Sequence, residues 1–470
     1  MNNEELRRNK YRRKKAMLRK VQNKMGVAFF VIILVLFVLA VRILLINYNH
    51  GEAYSKTVLD HQSYTSTTIP YKRGQIQDAN GTVLAYSERV YNLILDPKLI
   101  LSDEKYKEPT LTALTECFDL KRSDLESILA TKSTSQYEKL LKELTKDEIS
   151  EFESRVEDTK NNPYIKGVWF EDSYIRKYPF STLAADVIGF ASAANGGELG
   201  LENYYDEELS GTDGISYSYV GENLDVETQE KKAEDGYNLV TTIDYKVQSI
   251  IENKIKELNA ERPSKSTAVI AMNPKTGEIL AMASYPTFNL NNPRDLSGVY
   301  TQEELSTMTD IEMTDAMYAL WSNYCVSTIY EPGSTFKPFT VAEGLEEGVI
   351  HDGDTFYCGG FMEVSGSIIN CHEHSGHGTV TVKEGLIQSC NPTMMQIAAK
   401  LGGVKIAKYA ALFGFGNRTG IDLPGEEAGL TIGEKMTVID AACNSFGQNI
   451  NVNMVQMAAA FSSLVNGGNY

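Results

Sequence analysis

The most apolar part of the chain lies close to its N-terminus. Residues 27–41 contain no polar side chain, and after Arg42 the apolar run continues through residues 43–46. A helix of about 20 residues is about 30 Å long, which matches the hydrocarbon core of a bilayer. The pattern therefore predicts a single transmembrane helix over residues 26–46. A cleaved signal peptide is the alternative, but it would need a shorter apolar stretch and a small-residue cleavage site.

Between residues 51 and 236 the pattern changes repeatedly, which indicates a domain of mixed secondary structure. Apolar residues on either side of Asn80-Gly81 predict a β-hairpin over residues 73–85. Residues 102–160 are rich in Lys, Glu and Leu at helical spacing, which predicts a solvated helical subdomain. The same spacing predicts a helix over Tyr137–Leu144.

From residue 237 onward the pattern is typical of an α/β domain. A strand over 239–244 is expected to end at a helix cap, and residues 246–258 have helical periodicity. Two apolar strands, 267–272 and 278–284, flank a turn at Asn273–Gly277. We therefore predict that a second domain extends over residues 237–470.

Charge separates a short basic arm from an acidic body. Residues 1–25 contain ten Lys or Arg and two Glu, whereas the whole chain has a net charge of −17. Because positive charge flanks the cytoplasmic end of a membrane helix, we expect the arm to be cytoplasmic and the body to lie on the opposite, extracytoplasmic side of the membrane. The body offers no basic face, so nucleic acid is not expected as a partner.

The first candidate for catalysis is Ser334, which stands three residues before Lys337. Pro332 and Gly333 interrupt the preceding structure, and the apolar run after Lys337 predicts a buried helix, so both side chains would lie on one face of its first turn. A serine hydroxyl needs a nearby base, and a buried lysine can serve because burial lowers its pKa. The alternative is a helix-capping serine with a surface lysine.

The second candidate is the triplet Ser389-Cys390-Asn391, which precedes a predicted helix with Pro392 at its start and Gly402 at its end. Ser389 would relay a proton to a leaving amine. Asn391 would bind Lys337 and a substrate amide, although it could instead be only a helix cap.

These two motifs resemble the S-x-x-K and S-x-N motifs of penicillin-binding proteins and serine β-lactamases. Further stretches narrow the resemblance to class B penicillin-binding proteins, from about residue 60 to the last residue. They are Arg73–Ala85, Arg176–Pro179, Gly200–Glu202, Thr242–Asp244, Asn273–Ser284, Pro332–Lys337 and Ser445–Gln448.

The resemblance implies a mixed α+β fold. A single N-terminal transmembrane helix would be followed by an elongated α+β pedestal, similar to a dimerisation domain, over residues 51–236. A transpeptidase domain with a sheet flanked by helices would follow over 237–470. The resemblance also implies cross-linking of peptidoglycan stem peptides through a Ser334 acyl-enzyme, acylation by β-lactams and no cofactor for the chemistry. Its implied partner is a polytopic glycosyltransferase.

The family's third motif, K-[ST]-G, follows S-x-N on a strand. Lys275-Thr276-Gly277 matches its letters, but these residues precede Ser334 and fall in the predicted hairpin turn. We interpret them as an unrelated turn. The true motif is expected beyond Gln448, and we expect this sequence to stop before it.

A possible metal site surrounds the second motif. Cys358, Cys371, His377 and Cys390 lie within 33 positions, and such a set of thiolate and imidazole ligands suits tetrahedral Zn²⁺. Some class B members resemble this arrangement, with a structural zinc beside S-x-N. His374 is the reserve ligand. The alternatives are a disulfide between Cys358 and Cys371, or a simple turn at His377.

Other functions remain open at this point. A β-lactam-sensing receptor would use the same acylation as a signal, but only 25 residues precede the predicted membrane helix. A non-catalytic scaffold of the cell-wall machinery would not need both motifs intact. A β-lactamase would need neither a pedestal nor an anchor.

Overall fold

The structure, a computed structural model, describes residues 63–192, 196–220 and 226–470, with a few positions between 34 and 42. The basic arm and most of the predicted membrane helix lie outside these residues. Within the described ranges, no helix combines the length and apolarity needed to cross a bilayer. The predicted domain boundaries stay predictions.

Contacts divide the chain into two compact units. The first includes residues 63–69 and 213–232, whose described strands form a three-stranded antiparallel sheet. Its strands are Ser63–Ile69, Gly214–Val220 and Val226–Lys231. The second unit comprises residues 70–212 and 233–470 and contains all of the candidate site residues.

A five-stranded sheet organises the N-terminal half of the second unit. Its strands are Ile76–Gln77, Val83–Leu95, Glu138–Leu144, Val168–Lys177 and Leu239–Val240. The predicted hairpin is present, with Ile76 opposite Ala85 and a turn at Asn80-Gly81. Helices cover the predicted helical subdomain at Pro97–Ile100, Glu104–Cys117, Arg122–Thr131 and Lys146–Glu157.

The predicted helix over Tyr137–Leu144 is wrong. Glu138–Leu144 is a strand that pairs with Val83–Leu95, and the pairing register shifts twice along it. These irregularities break the two-residue alternation, so that Leu140, Leu141 and Leu144 all pack against one core cluster. Their spacing therefore imitates one face of a helix.

A buried ion-pair network joins three of the resemblance stretches. Glu202 is fully buried; its carboxylate accepts a hydrogen bond from Arg73 Nε at 2.7 Å and another from Arg176 Nε at 2.6 Å. Around it lie the short helices Ala185–Ile188, Gly200–Tyr204 and Asp206–Leu209 and the small hairpin of Ala191–Ser192 and Gly196–Gly197. A buried carboxylate that bridges two guanidinium groups in this way fixes chain segments that are far apart in sequence.

The predicted strand over residues 239–244 is short, since only Leu239–Val240 form a strand, but the predicted helix and strand pair that follow are present. Asp244 caps the helix Tyr245–Glu261 by accepting hydrogen bonds from the amides of Lys246 and Val247. The strands Thr267–Met272 and Ile279–Tyr285 then form an antiparallel pair. Two further pairs join Thr355–Cys358 to Gly378–Thr381 and Phe361–Val364 to Ser367–Asn370.

The helices around these strands build two apolar clusters that support the candidate site. Phe336 and Phe339 pack with Phe415 in one cluster, and Val341 packs with Met394 in the other. The helices are Gln302–Thr307, Asp310–Trp321, Tyr324–Ser327, Lys337–Glu346, Val382–Ile387, Asn391–Leu401, Gly403–Leu412, Val438–Asn444 and Met454–Val465, with 3₁₀ turns at Gly333–Phe336 and Gly433–Lys435.

Candidate active site

Ser334 lies on a 3₁₀ turn, Gly333–Phe336, that leads directly into the helix Lys337–Glu346. Pro338 stands near the start of this helix, where a missing amide hydrogen has little effect. Phe336 is fully buried and anchors the turn, whereas Ser334 is exposed. The turn therefore exposes the serine hydroxyl to solvent, while the buried Phe336 side chain holds the turn in place.

Lys337 connects the two candidate motifs. Its side chain is almost completely buried, and Nζ donates hydrogen bonds to Ser389 O at 2.5 Å and to Ser389 Oγ at 2.8 Å. Ser389 Oγ in turn lies 2.9 Å from Ser334 Oγ. The three side chains form a continuous hydrogen-bonded line, and a surface lysine is excluded.

Burial lowers the pKa of Lys337 to about 8, although the nearby thiols of Cys371 and Cys390 act in the opposite direction. A lysine with such a pKa is partly neutral near physiological pH. It can therefore accept a proton as a general base.

Ser389 has an unusual backbone conformation, with φ of 53°. A non-glycine residue in the left-handed region is strained, and such residues cluster at functional sites. Two backbone hydrogen bonds hold this strained conformation. The amide of Ser389 donates to Leu386 O, and the amide of Cys390 donates to Gly385 O. No feature of the sequence predicted this conformation.

Asn391 differs from its prediction in two respects. It is the first residue of the helix Asn391–Leu401 and does not cap it, since Cys390 occupies the capping position. Its Nδ2 donates to Asn370 O at 3.1 Å, whereas among the described hydrogen bonds Lys337 Nζ reaches only Ser389. The predicted bond between Asn391 and Lys337 is therefore not formed, because the amide turns toward the strand Ser367–Asn370.

The four predicted metal ligands come together directly behind this motif. One ligand atom from each of Cys358, Cys371, His377 and Cys390 lies within 4.8 Å of all the others. Ligand atoms at about 2.3 Å from a tetrahedral zinc would lie about 3.8 Å apart, so the set fits Zn²⁺ after a small contraction. His374, the reserve ligand, is exposed and outside the cluster.

The thiols of this cluster are free, so the alternative disulfide between Cys358 and Cys371 is not formed. Burial would raise the pKa of the Cys358 thiol, but hydrogen bonds from the backbone at His377 and Gly360 hold its pKa below the usual value. Because the thiolate is the form that binds metal, these amides favour a metal-binding state.

Lys275-Thr276-Gly277 lies in the turn between the strands Thr267–Met272 and Ile279–Tyr285.

A further contact, which the catalytic motifs did not predict, holds the turn that contains Ser334. Gly333 N–H donates to Gly447 O at 2.9 Å, within the stretch Ser445–Gln448. Only the resemblance of that stretch to a family motif pointed to it.

Comparison with known proteins matches both halves of the chain to family models. The model described as the penicillin-binding protein transpeptidase domain matches residues 267–470, and the penicillin-binding protein dimerisation domain matches residues 68–241. Stage V sporulation protein D of Bacillus subtilis (strain 168) is 31% identical over 446 residues, which cover 93% of this chain and 64% of that protein. Peptidoglycan D,D-transpeptidase MrdA of Acinetobacter baumannii is 26% identical over 85% of this chain and 59% of its own length. The chain thus spans about three fifths of the length of these two relatives.

Solved structures share the fold. Penicillin-binding protein 2X from Streptococcus thermophilus superposes with a TM-score of 0.70 at 25% identity, covering 86% of this chain and 60% of that one. Penicillin-binding protein 2 from Helicobacter pylori, solved in complex with MreC, gives a TM-score of 0.67 at 21% identity, covering 86% and 77%. With a dimerisation domain followed by a transpeptidase domain, and with both catalytic motifs brought into one site, the chain belongs to the class B penicillin-binding proteins.

Proposed function

We propose that this protein is a peptidoglycan D,D-transpeptidase that cross-links stem peptides through an acyl-enzyme at Ser334. The observation that carries the proposal is the hydrogen-bonded line from Lys337 Nζ through Ser389 Oγ to Ser334 Oγ, with successive distances of 2.8 and 2.9 Å. The relatives named as D,D-transpeptidases support the substrate class.

In the proposed reaction Ser334 Oγ attacks the carbonyl carbon of the penultimate D-alanine. Its proton passes through Ser389 to the neutral amine of Lys337, and the amide of Ser334 donates to the developing oxyanion. When the C–N bond breaks, Ser389 returns the proton to the departing D-alanine. The amine of a neighbouring stem peptide then attacks the ester and restores Ser334. A β-lactam would acylate Ser334 in the same way.

The proposal is tested with fluorescent penicillin on the purified full-length protein, with Ser334→Ala as the control. We expect covalent label on the wild type and none on the variant. A wild type that stays unlabelled while folded contradicts every acyl-enzyme function. Transpeptidation itself is tested by the formation of cross-links between lipid-linked glycan strands.

We also propose that Cys358, Cys371, His377 and Cys390 hold a structural Zn²⁺. The support is their convergence behind the second motif and the absence of a disulfide among the described cysteines. When bound, zinc would neutralise the thiolates and tie Cys390, the middle residue of Ser389–Asn391, to the strands around it. Metal analysis should find about one zinc per chain, lost in Cys358→Ser; a metal-free protein with full activity contradicts this site.

Finally, we propose that residues 26–46 anchor the protein in the cell membrane as a single span, with residues 1–25 in the cytoplasm and the body outside. The apolar run and its basic flank support this. We further propose that a polytopic glycosyltransferase is the partner, on family resemblance alone. Membrane fractionation with protease protection tests the first proposal, and co-purification tests the second. A soluble chain, or one digested only from the cytoplasmic side, contradicts the anchor.

A further inference from the structure

The stretch Ser445–Gln448 has no role in the proposed mechanism, yet its backbone lies against the turn that carries the nucleophile. Gly333 N–H donates to Gly447 O at 2.9 Å, one residue before Ser334. Gly447 has a φ of 80°, and a Cβ at this position would lie 2.1 Å from Gly333 O and 2.6 Å from Gly333 N. Only a glycine allows so close an approach.

Two more contacts hold the same stretch to the nucleophile segment. The amide of Asn449, with a φ of 59°, donates to Glu331 Oε1 at 2.9 Å, and Thr340 Oγ1 donates to Ser445 O at 2.9 Å. Asn449 Nδ2 also donates to Asp440 Oδ1 at 3.3 Å, which ties it to the helix Val438–Asn444. The chain is thus held before, at and after the serine turn.

These contacts matter because, in the described part of the chain, the Ser334 side chain has one hydrogen bond, to Ser389 Oγ. Ser389 and Lys337 orient its hydroxyl, but they do not fix the peptide unit between Gly333 and Ser334. The hydrogen bond from Gly333 N–H to Gly447 O fixes the peptide unit before Gly333, which has a φ of 58°. The close approach of Gly447 to Gly333 O restrains the next unit, between Gly333 and Ser334. A shift of that unit would move the Ser334 hydroxyl and the Ser334 amide together.

We propose that residues 445–449, here called the brace loop, form a positioning element for Ser334, with Gly447 and the Glu331–Asn449 bond as its principal contacts. The inference rests on the proposed acyl-enzyme function and extends it. The brace loop sets the direction of attack through the backbone of the serine turn, whereas Ser389 contacts the Ser334 side chain. Its residues hold the nucleophile in place and do not touch the reacting atoms.

The sharpest test compares Gly447→Ala with Gly277→Ala. Gly277 has a φ of 78°, and a Cβ added there would have no heavy atom within 4 Å, so alanine is equally strained but meets no neighbour. We expect the rate of acylation by fluorescent penicillin to fall about a hundredfold in Gly447→Ala, because displacements of about 1 Å have effects of this size. The rate in Gly277→Ala should stay near that of the wild type, and non-covalent penicillin affinity should change little in either variant.

A second pair tests the Glu331–Asn449 bond. Glu331→Ala removes the acceptor, whereas Glu331→Gln keeps an oxygen at the same position. We expect Glu331→Ala to slow acylation and Glu331→Gln to restore most of the rate at equal thermal stability. Loss of stability in both variants with no difference in acylation rate would overturn a positioning role.

Hydrogen–deuterium exchange gives a readout that does not depend on chemistry. The amides of residues 333–337 should exchange faster in Gly447→Ala than in Gly277→Ala. If the wild type is not labelled by penicillin, the proposed function fails, while exchange still decides on the brace loop. Equal exchange in both glycine variants overturns the brace loop whatever the labelling shows.

Discussion

Lys337 is the residue whose surroundings bear most directly on the chemistry at Ser334. Its ammonium group is buried, bonded to Ser389, and has a pKa lowered to about 8 by burial. Above that pH the amine is neutral and can accept a proton, and below it the amine is protonated and cannot. The base is thus available in a minority of molecules at neutral pH.

We predict that acylation by penicillin accelerates as the pH rises through about 8, the pKa of Lys337. Lys337→Arg should abolish acylation, because a guanidinium stays protonated at every accessible pH. Stopped-flow labelling from pH 6 to 10 measures the profile. Lys383→Arg, an exposed substitution on a neighbouring helix, is the control. A rate independent of pH across this range would rule out Lys337 as the base.

Glu343 lies on the helix Lys337–Glu346, which follows the serine turn, and its carboxyl group is buried. Neither carboxyl oxygen has a hydrogen-bond partner in the described part of the chain. Burial raises the pKa of Glu343 from 4.5 to about 9. Over the pH range between these two pKa values, the folded protein therefore keeps this proton, whereas the unfolded chain loses it. Folding stability from this group is present below pH 4.5 and is lost progressively as pH rises to about 9.

We predict that Glu343→Gln stabilises the fold by about 2 kcal/mol or more at pH 8, since glutamine cannot ionise in the unfolded state. The gain should vanish near pH 4. Urea denaturation at both pH values measures it. A gain that is the same at the two pH values would show that ionisation is not its cause.

At the scale of single elements, the short helix Val382–Ile387 controls the position of Ser389. Thr381 caps this helix by accepting from the amide of Glu384, and the last turn accepts the amides of Ser389 and Cys390. Thr301 and Glu304 form the same capping box on the helix Gln302–Thr307, outside the site. The two helices form a matched pair.

We predict that Thr381→Ala and Thr301→Ala each reduce the free energy of unfolding by about 1 kcal/mol, the usual effect of a lost cap. Only Thr381→Ala should also slow acylation, because only that helix leads into Ser389. Urea denaturation and penicillin labelling measure the two effects. Equal acylation rates in both variants would contradict the link between this helix and the site.

The hairpin of Phe361–Val364 and Ser367–Asn370 lies between two of the proposed metal ligands. Cys358 precedes the hairpin, Cys371 follows it, and Asn370 O accepts the side-chain amide of Asn391. We predict that a chelator increases amide exchange in residues 358–371 before it affects the strands Thr267–Met272 and Ile279–Tyr285. If the exchange rates of residues 358–371 are the same with and without the chelator, no metal holds this hairpin.

At the scale of the whole second unit, the Glu202 network joins segments that are far apart in sequence. Two guanidinium groups bond to one carboxylate that is fully buried, and Arg73 also pairs with Asp206. We predict that Glu202→Ala lowers the free energy of unfolding by about 3–5 kcal/mol, because the largely buried guanidinium of Arg176 loses the one ion pair described for it. Glu108→Ala, which breaks an exposed pair with Arg122, should change stability little. Similar melting temperatures for both variants would contradict this ranking.

Much of the architecture was predictable because it follows from local patterns. The hairpin at 73–85, the helix after Asp244 and the strand pair around Asn273–Gly277 were all expected from periodicity and turn residues. The strand Glu138–Leu144 was not, because shifts in its pairing register place leucines at helical spacing on one core. Such a pattern is compatible with either a helix or a strand, and only pairing with the neighbouring strand decides between the two.

The sequence by itself indicated which side chains come together. Ser334, Lys337 and Ser389 stand in two short motifs, and the four metal-ligand candidates lie within 33 positions. The tertiary structure decided how they connect. The relay from Lys337 to Ser389 spans 52 positions, Asn391 turns toward Asn370, and Gly447 lies against Gly333. Contacts between residues so distant in sequence arise only when the helices and loops pack. Spacing along the chain contains no information about the direction in which each side chain then points.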